Sequence, residues 1–299
     1  MNVAFIGFGE ASQAIVKGWQ SANLDISNIN ICAYDIKTDD PATSKSKQAD
    51  YEALKVTGHA TLTDAVSNAD YVLSAVTASQ AHTVAKQAAS KLKQGALFFD
   101  LNSCAPQTKQ ASAELLHSGL GLYVDTAVMT PIYPDMHRSA MSLCGPHAKA
   151  GISWMESMNM VPTFVEGDVG AASMIKMVRS IMIKGVEALT TEFVLTAVEA
   201  GVEDQVINSL GSHFPGLDWT KFSAYLMERV ATHGVRRAEE MEEVCLTIEG
   251  LGLEPMITNG TVKRQRQIGE MKLGMPADEG SYTQWAKLLL AGLEREKNA

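Results

Sequence analysis

Cysteine is scarce in this chain. There are four in 299 residues (Cys32, Cys104, Cys144 and Cys245), with no CxxC pair and no spacing that sets two thiols side by side. Isolated thiols in a chain of this length do not make a disulfide scaffold or a zinc site, so reduced cysteines and no bound metal are expected. Long apolar runs are missing too; none approaches the ~18 residues that a membrane span needs. Nor is there an excess of positive charge. Lys and Arg number 25 against 34 Asp and Glu, a net charge of −9. This balance argues against nucleic acid and membrane as partners but leaves room for a small anionic substrate in a locally basic pocket. The opening MNVAFIGFG carries no charged leader and no small-residue cleavage site, which sets the expectation of a cytoplasmic protein. Repeats and low-complexity segments are absent.

What is present is an alternation. Short apolar runs at Met1–Ile6, Asn30–Tyr34, Tyr71–Val76, Ala96–Asp100, Leu122–Asp125, Ser142–Cys144 and Val161–Val165 read as strands. Helical patterns lie between several of them, for example at Thr61–Asn68 and Thr108–His117. Thr38–Gln48 is polar and reads as a surface loop. Strands alternating with helices predict βαβ units and a parallel sheet. The texture changes near Gly167, after which no strand is read. Helices are predicted over Ala171–Ala200, Glu203–Leu210, Lys221–His233, Val235–Leu251 and Tyr282–Arg295, with breaks at Gly250–Pro255 and Gly274–Gly280. Two domains are expected, 1–166 and 167–299. The long Ala171–Ala200 pattern is apolar on most faces, more than a small helical domain can cover, and this predicts a homodimer.

The first strand runs into Gly7-Phe8-Gly9-Glu10-Ala11-Ser12 and then a helix. This is G-x-G-x-x-G with serine at the third glycine. Gly7 permits a tight turn, and Gly9 lets the backbone approach a pyrophosphate held at the helix N-terminus. In that context the six residues predict a dinucleotide-binding α/β domain of Rossmann type, doubly wound and followed by an all-α C-terminal domain. Asp35 ends the second strand, where a carboxylate binds ribose hydroxyls and repels a 2′-phosphate. NAD is therefore the expected cofactor, with NADP left open by the neighbouring Lys37. Val76 and Thr77 should line the cofactor, and Asn102 and Ser103 the substrate, because ligands bind beyond the carboxyl ends of parallel strands. Lys176 stands among Met174, Ile175, Met177 and Val178. A desolvated lysine is suited to proton transfer to and from an alcohol oxygen.

Four segments carry a resemblance. They are the GFGEAS turn, Asp100-Leu101-Asn102-Ser103-Cys104-Ala105-Pro106, Asp125-Thr126-Ala127-Val128-Met129-Thr130-Pro131, and Gly170-Ala171-Ala172-Ser173-Met174-Ile175-Lys176. Together they resemble the β-hydroxyacid dehydrogenase family, which includes 3-hydroxyisobutyrate and 6-phosphogluconate dehydrogenases. KMVRSIMIKGVEAL and HGVRRAEEMEE resemble its phosphogluconate dehydrogenase-like branch with a C-terminal domain of unknown function. The resemblance implies an NAD(P)-dependent oxidoreductase acting on CH–OH, with Lys176 as general acid/base and Ser103 and Asn102 on the substrate. Ser180 replaces the family's usual asparagine. Met129 and Thr130 stand where the family has Ser-Gly, and Ile183 stands where its decarboxylating members have glutamate. The family's K-D-L motif is replaced around Arg236 and Arg237, which could grip a carboxylate or phosphate, with His233 as a further polar contact. Two alternatives remain open, an imine reductase on the same scaffold and a non-catalytic nicotinamide-binding homologue.

Overall fold

The computed structural model describes residues 1–22, 24, 28–274 and 280–297. Residues 275–279, inside the break read at Gly274–Gly280, lie outside the described residues. The first part of the chain runs β1 (Asn2–Ile6), α1 (Glu10–Ser21), β2 (Asn30–Tyr34), α2 (Pro41–Ala53), β3 (Thr57–Gly58), α3 (Leu62–Val66) and β4 (Tyr71–Ser74). It continues through α4 (Ala81–Ala89), β5 (Leu97–Asp100), α5 (Pro106–His117), β6 (Leu122–Val128), β7 (Ala140–Cys144), α6 (Ala148–Ser157) and β8 (Val161–Phe164). Only helices follow among the described residues: α7 (Ala171–Glu199), α8 (Glu203–His213), α9 (Trp219–Gly250), α10 (Met256–Glu270) and α11 (Tyr282–Lys297).

The strands form one eight-stranded sheet in the order β3-β2-β1-β4-β5-β6-β7-β8. From β3 to β6 every pairing is parallel. The sheet is mostly parallel, as the alternation predicts, with one antiparallel pair, because β7 runs against β6. Its cause is the connection. A parallel neighbour needs a crossover, usually a helix, whereas residues 129–139 hold only a short 3-10 turn and return the chain directly. Alternate strand residues feed opposite faces. Phe5 and Phe99 join Ile15, Trp19 and Trp154 on one side, while Ile6 and Phe98 join Leu62, Ala85 and Leu116 on the other. Burial on both faces explains why these strands read as continuous apolar runs.

The polar stretch read as a loop is mostly helix. Asp40 caps α2 by accepting from the Ala42 N–H, and Pro41 occupies the first turn, where its missing N–H costs nothing. Only Lys47 and Tyr51 of α2 are buried, so it carries almost no apolar stripe to read. The two helices read as Lys221–His233 and Val235–Leu251 are one 32-residue helix, α9. Gly234 looks like a break but serves as a crossing point. A Cβ there would lie 2.3 Å from the Gln265 carbonyl oxygen and 2.9 Å from the Gly269 Cα, so glycine allows α9 and α10 to approach backbone to backbone.

Two compact units result, Met1–Met177 and Val178–Ala299. The strands end before Gly167, and the division falls further on, inside α7. The helical unit has its own core, in which Val194, Leu195 and Ile207 pack with Met227, Val230, Ile268, Trp285 and Leu289.

Candidate functional site

The sheet order reverses at β1, whose neighbours β2 and β4 lead away in opposite directions. The Gly7–Ser12 turn leaves the carboxyl end of β1 at this switch point. Gly7 has φ +80°, and a Cβ on it would meet the Ala75 carbonyl oxygen at 2.4 Å and the Val76 Cγ1 at 2.9 Å. No side chain could replace it. Gly9 is the opposite case. It is exposed, a Cβ there would meet nothing within 4 Å, and it begins α1 without any side-chain cap. The first-turn N–H groups of α1 have no intrahelical partner, and with open space at Gly9 this cradle fits a dinucleotide pyrophosphate.

The other turn residues hold its shape. The Ser12 hydroxyl donates to the Gly7 carbonyl at 2.6 Å and is fully buried, so a short hydroxyl side chain serves at the third glycine position by bonding the turn itself. The Phe8 side chain packs inward, its ring 6.0 Å from Phe5 and 5.2 Å from Tyr51. The Phe8 N–H donates to Asp35 Oδ2 at 2.7 Å. Asp35 Oδ1 accepts from the Lys37 N–H at 3.0 Å, so this carboxylate braces the glycine turn as well as ending β2. Sequence reasoning missed Lys47. Its buried ammonium donates to the Phe8 carbonyl at 2.7 Å and pairs with Asp50 at 2.7 Å, tying α2 to the turn. The only sequence signal was a lysine inside a segment that reads as solvated.

Val76 and Thr77 follow β4, which ends at Ser74 rather than Val76. Thr77 is exposed. The Val76 N–H donates to Asn102 Oδ1 at 2.7 Å, so the loops after β4 and β5 are joined. Asn102 is buried and its amide donates to Asp100 and Ser74, which makes it the brace of its loop. Ser103 is partly exposed. Lys176 Nζ donates to the Ser103 Oγ at 2.7 Å. Two positions far apart in sequence thus meet at the carboxyl edge of the sheet within one unit. Lys176 is partly buried, while its neighbours Ile175 and Val178 are exposed. Met129 closes β6 by donating its N–H to the Ala140 carbonyl and packs beside Ala127 and Ala172, and Thr130 is exposed beyond it.

The remaining expected residues lie in the helical unit. Ser180 accepts from Lys184 Nζ at 3.1 Å, and Lys184 pairs with Glu240 at 2.8 Å. Arg236 is half exposed and pairs with the same Glu240 at 2.5 Å. Arg237 is buried, and its guanidinium bonds both carboxylate oxygens of Glu187. Gln265 supplies Glu187 with a further bond at 3.0 Å. His233 is pushed down to about 4 by burial and by Arg229, Arg236 and Arg237, so at neutral pH it is an uncharged hydrogen-bonding group. Among the described residues no group of three or more His, Cys, Asp or Glu could hold a metal ion, and no helix is long and apolar enough to cross a membrane.

Residues 2–103 match the family described as NADP oxidoreductase coenzyme F420-dependent, and residues 197–268 a domain of unknown function, DUF1932. A conserved hypothetical protein from Sinorhizobium meliloti 1021 is 34% identical; the match covers 98% of this chain and 96% of that one, with a TM-score of 0.73. An uncharacterised 28.5 kDa protein from Methanothermus fervidus is 26% identical over 273 residues, 90% of this chain and 100% of that protein. The 3-hydroxyisobutyrate dehydrogenase of Mycobacterium tuberculosis shares the fold at 13% identity, with a TM-score of 0.67 over 97% of this chain and 98% of that one.

Proposed function

We propose that this chain, which joins a domain of the NADP oxidoreductase coenzyme F420-dependent family to a DUF1932 domain and shares the fold of 3-hydroxyisobutyrate dehydrogenase, interconverts an alcohol and a carbonyl on a small anionic hydroxy acid. The observation that carries this reading is the contact of Lys176 Nζ with Ser103 Oγ at 2.7 Å. It stands at the sheet edge where α/β domains bind ligands. When bound, a nicotinamide dinucleotide accepts or returns the hydride. The Gly7–Glu10 turn and the first N–H groups of α1 hold its pyrophosphate. Lys176 Nζ receives the substrate hydroxyl proton during oxidation and gives it back during reduction. Ser103 Oγ accepts from Lys176, which leaves its own hydroxyl proton to bond the substrate oxygen and fix that atom near Nζ. The test is cofactor reduction or oxidation followed optically with short hydroxy acids, keto acids and cyclic imines. Turnover of hydroxy or keto acids is the expected result; turnover confined to imines would move the assignment to C=N reduction.

The brace between Asp35 and the turn supports a preference for NAD. Its carboxylate is fixed beside the Phe8 N–H, and a 2′-phosphate brought to the end of β2 would meet that negative charge. NAD should bind at least about tenfold more tightly than NADP, which corresponds to ~1.4 kcal/mol. Calorimetric titration of both decides it, and tighter binding of NADP would refute the preference.

Assembly follows from α7. Val178, Met182 and Leu189 are exposed at helical spacing and form one apolar stripe. We assign a second copy of the chain to that stripe. Light scattering at micromolar concentration should give a dimer, and a monomer would contradict the assignment.

A further inference from the structure

Asp100 and Asp125 lie opposite each other in the parallel β5–β6 ladder, so their side chains emerge side by side on the same face. Both are buried. Two buried carboxylates at neighbouring positions repel strongly unless a cation lies between them. That cation is Lys109, in the first turns of α5. Its side chain is fully buried, 3.0 Å from Asp100 Oδ1 and 3.6 Å from Asp125 Oδ1, and its ammonium also donates to the Asp100 carbonyl at 2.6 Å. Burial pushes the Lys109 ammonium down, but the two carboxylates outweigh it and hold the group above the ordinary lysine value.

Each carboxylate grips one half of the reacting pair. Asp100 Oδ1 accepts from the Asn102 N–H at 3.0 Å and its side-chain amide at 2.7 Å, which sets the loop at the residue before Ser103. The Tyr123 hydroxyl fills Oδ2 at 2.6 Å. Asp125 Oδ2 accepts from the N–H groups of Gly170 and Ser173 at 3.0 and 3.4 Å, and Oδ1 from the Ser173 hydroxyl at 2.9 Å. That is the start of α7, one turn before Lys176. A second tie runs alongside, from the Gln110 amide in α5 to the Val169 carbonyl at 3.1 Å.

We infer that Lys109 is a positioning residue, whose ammonium joins Asp100 and Asp125 and so fixes the Ser103 loop and the Lys176 turn at their working separation. It touches neither substrate nor cofactor in this arrangement. The consequence for turnover rests on the function proposed above. The geometric claim does not, and it is tested without any substrate.

The test is trace acetylation of lysines by acetic anhydride, read by mass spectrometry in the intact chain. It uses Lys109→Met and the double variant Lys109→Met/Asp125→Asn, with exposed Lys45 and Lys91 as references. Methionine keeps the length and apolar stem of lysine. In Lys109→Met, Lys176 should label about tenfold faster relative to the references, the scale of one lost hydrogen bond to a charged group. In the double variant one carboxylate remains and the net charge of the cluster equals that of the natural trio, while the amide at 125 can accept from the Gly170 and Ser173 N–H groups through its oxygen and donate to the Ser173 hydroxyl, so Lys176 labelling should return toward the natural rate. A residue that merely fills space would give the reverse, because the second substitution would add damage. With an identified substrate, Lys109→Met should lower kcat by about 10²-fold, the scale of a 1 Å misplacement, with cofactor KM unchanged. The double variant should recover part of that loss. If Lys109→Met fails to fold and the double variant folds, charge balance is confirmed as what Lys109 supplies. Unchanged Lys176 labelling in folded Lys109→Met, further damage in the double variant, or failure of both to fold would overturn the inference. Altered labelling without any turnover on the substrate panel would leave the positioning role standing and remove the proposed reaction.

Discussion

Lys176→Met is expected to lower turnover by about 10²–10⁴-fold, the usual contribution of a positioned acid/base, with dinucleotide affinity unchanged. Methionine matches the stem of lysine, so the first turns of α7 keep their packing. It can neither donate to Ser103 nor carry a proton. The dinucleotide cradle is built from other residues, the Gly7–Glu10 turn and its braces Asp35 and Lys47, so binding measured by calorimetry should not move. Lys184, further along α7, is unsuitable as a control. It is buried, bonds Ser180 and pairs with Glu240. The proper comparison is Lys91→Met, an exposed lysine in the turn that follows α4. Steady-state kinetics in both directions would check the pair of variants. Full turnover in Lys176→Met would require a different proton donor.

The second large effect concerns stability. Arg237→Met should destabilise the helical unit by about 3–5 kcal/mol, because it strips the cation from a buried carboxylate. Glu187 would keep only Gln265 as an observed side-chain partner, in a pocket closed to water. Arg236→Met should cost less than about 1 kcal/mol, since its pair with Glu240 is half exposed and screened. Urea unfolding of both variants separates them. Equal stabilities would show that the two adjacent arginines have interchangeable roles. A stable Arg237→Met lacking turnover would return Arg237 to the substrate, the role that its place in the sequence suggests.

How far the sequence could be read depends on whether its signals are local. A strand ending in Gly7, with Gly9 opening a helix, is a local signal, because a tight turn and a bare helix N-terminus need those residues whatever surrounds them. The alternation of buried strands and the all-helical region after Gly167 are equally local, since periodicity of burial is written along the chain. Asp35 is legible as the end of β2, but its bond to the Phe8 N–H is a contact between strands. Helix α2 was lost because its few buried positions, Lys47 and Tyr51, do not make an apolar stripe. Gly234 misled for the opposite reason. Glycine commonly ends helices, and here it serves a helix crossing that exists only once α10 is in place.

The sequence by itself thus determined the fold class, the dinucleotide turn and a shortlist of polar residues. Only the tertiary structure decided which of them meet. Ser103 finds Lys176 because a loop after β5 and the start of α7 come to one sheet edge, and no spacing along the chain encodes that distance. Arg236 and Arg237 are neighbours of identical chemistry, yet helical geometry turns one toward water and the other into a buried pair with Glu187. Lys109 looks like an ordinary lysine near the start of a helix, and its position between Asp100 and Asp125 follows from the register of two strands. Charge is cheap at the surface and costly in the interior. Where the fold buries charged groups, their partners must come from other elements, and those partnerships are invisible until the chain has closed on itself.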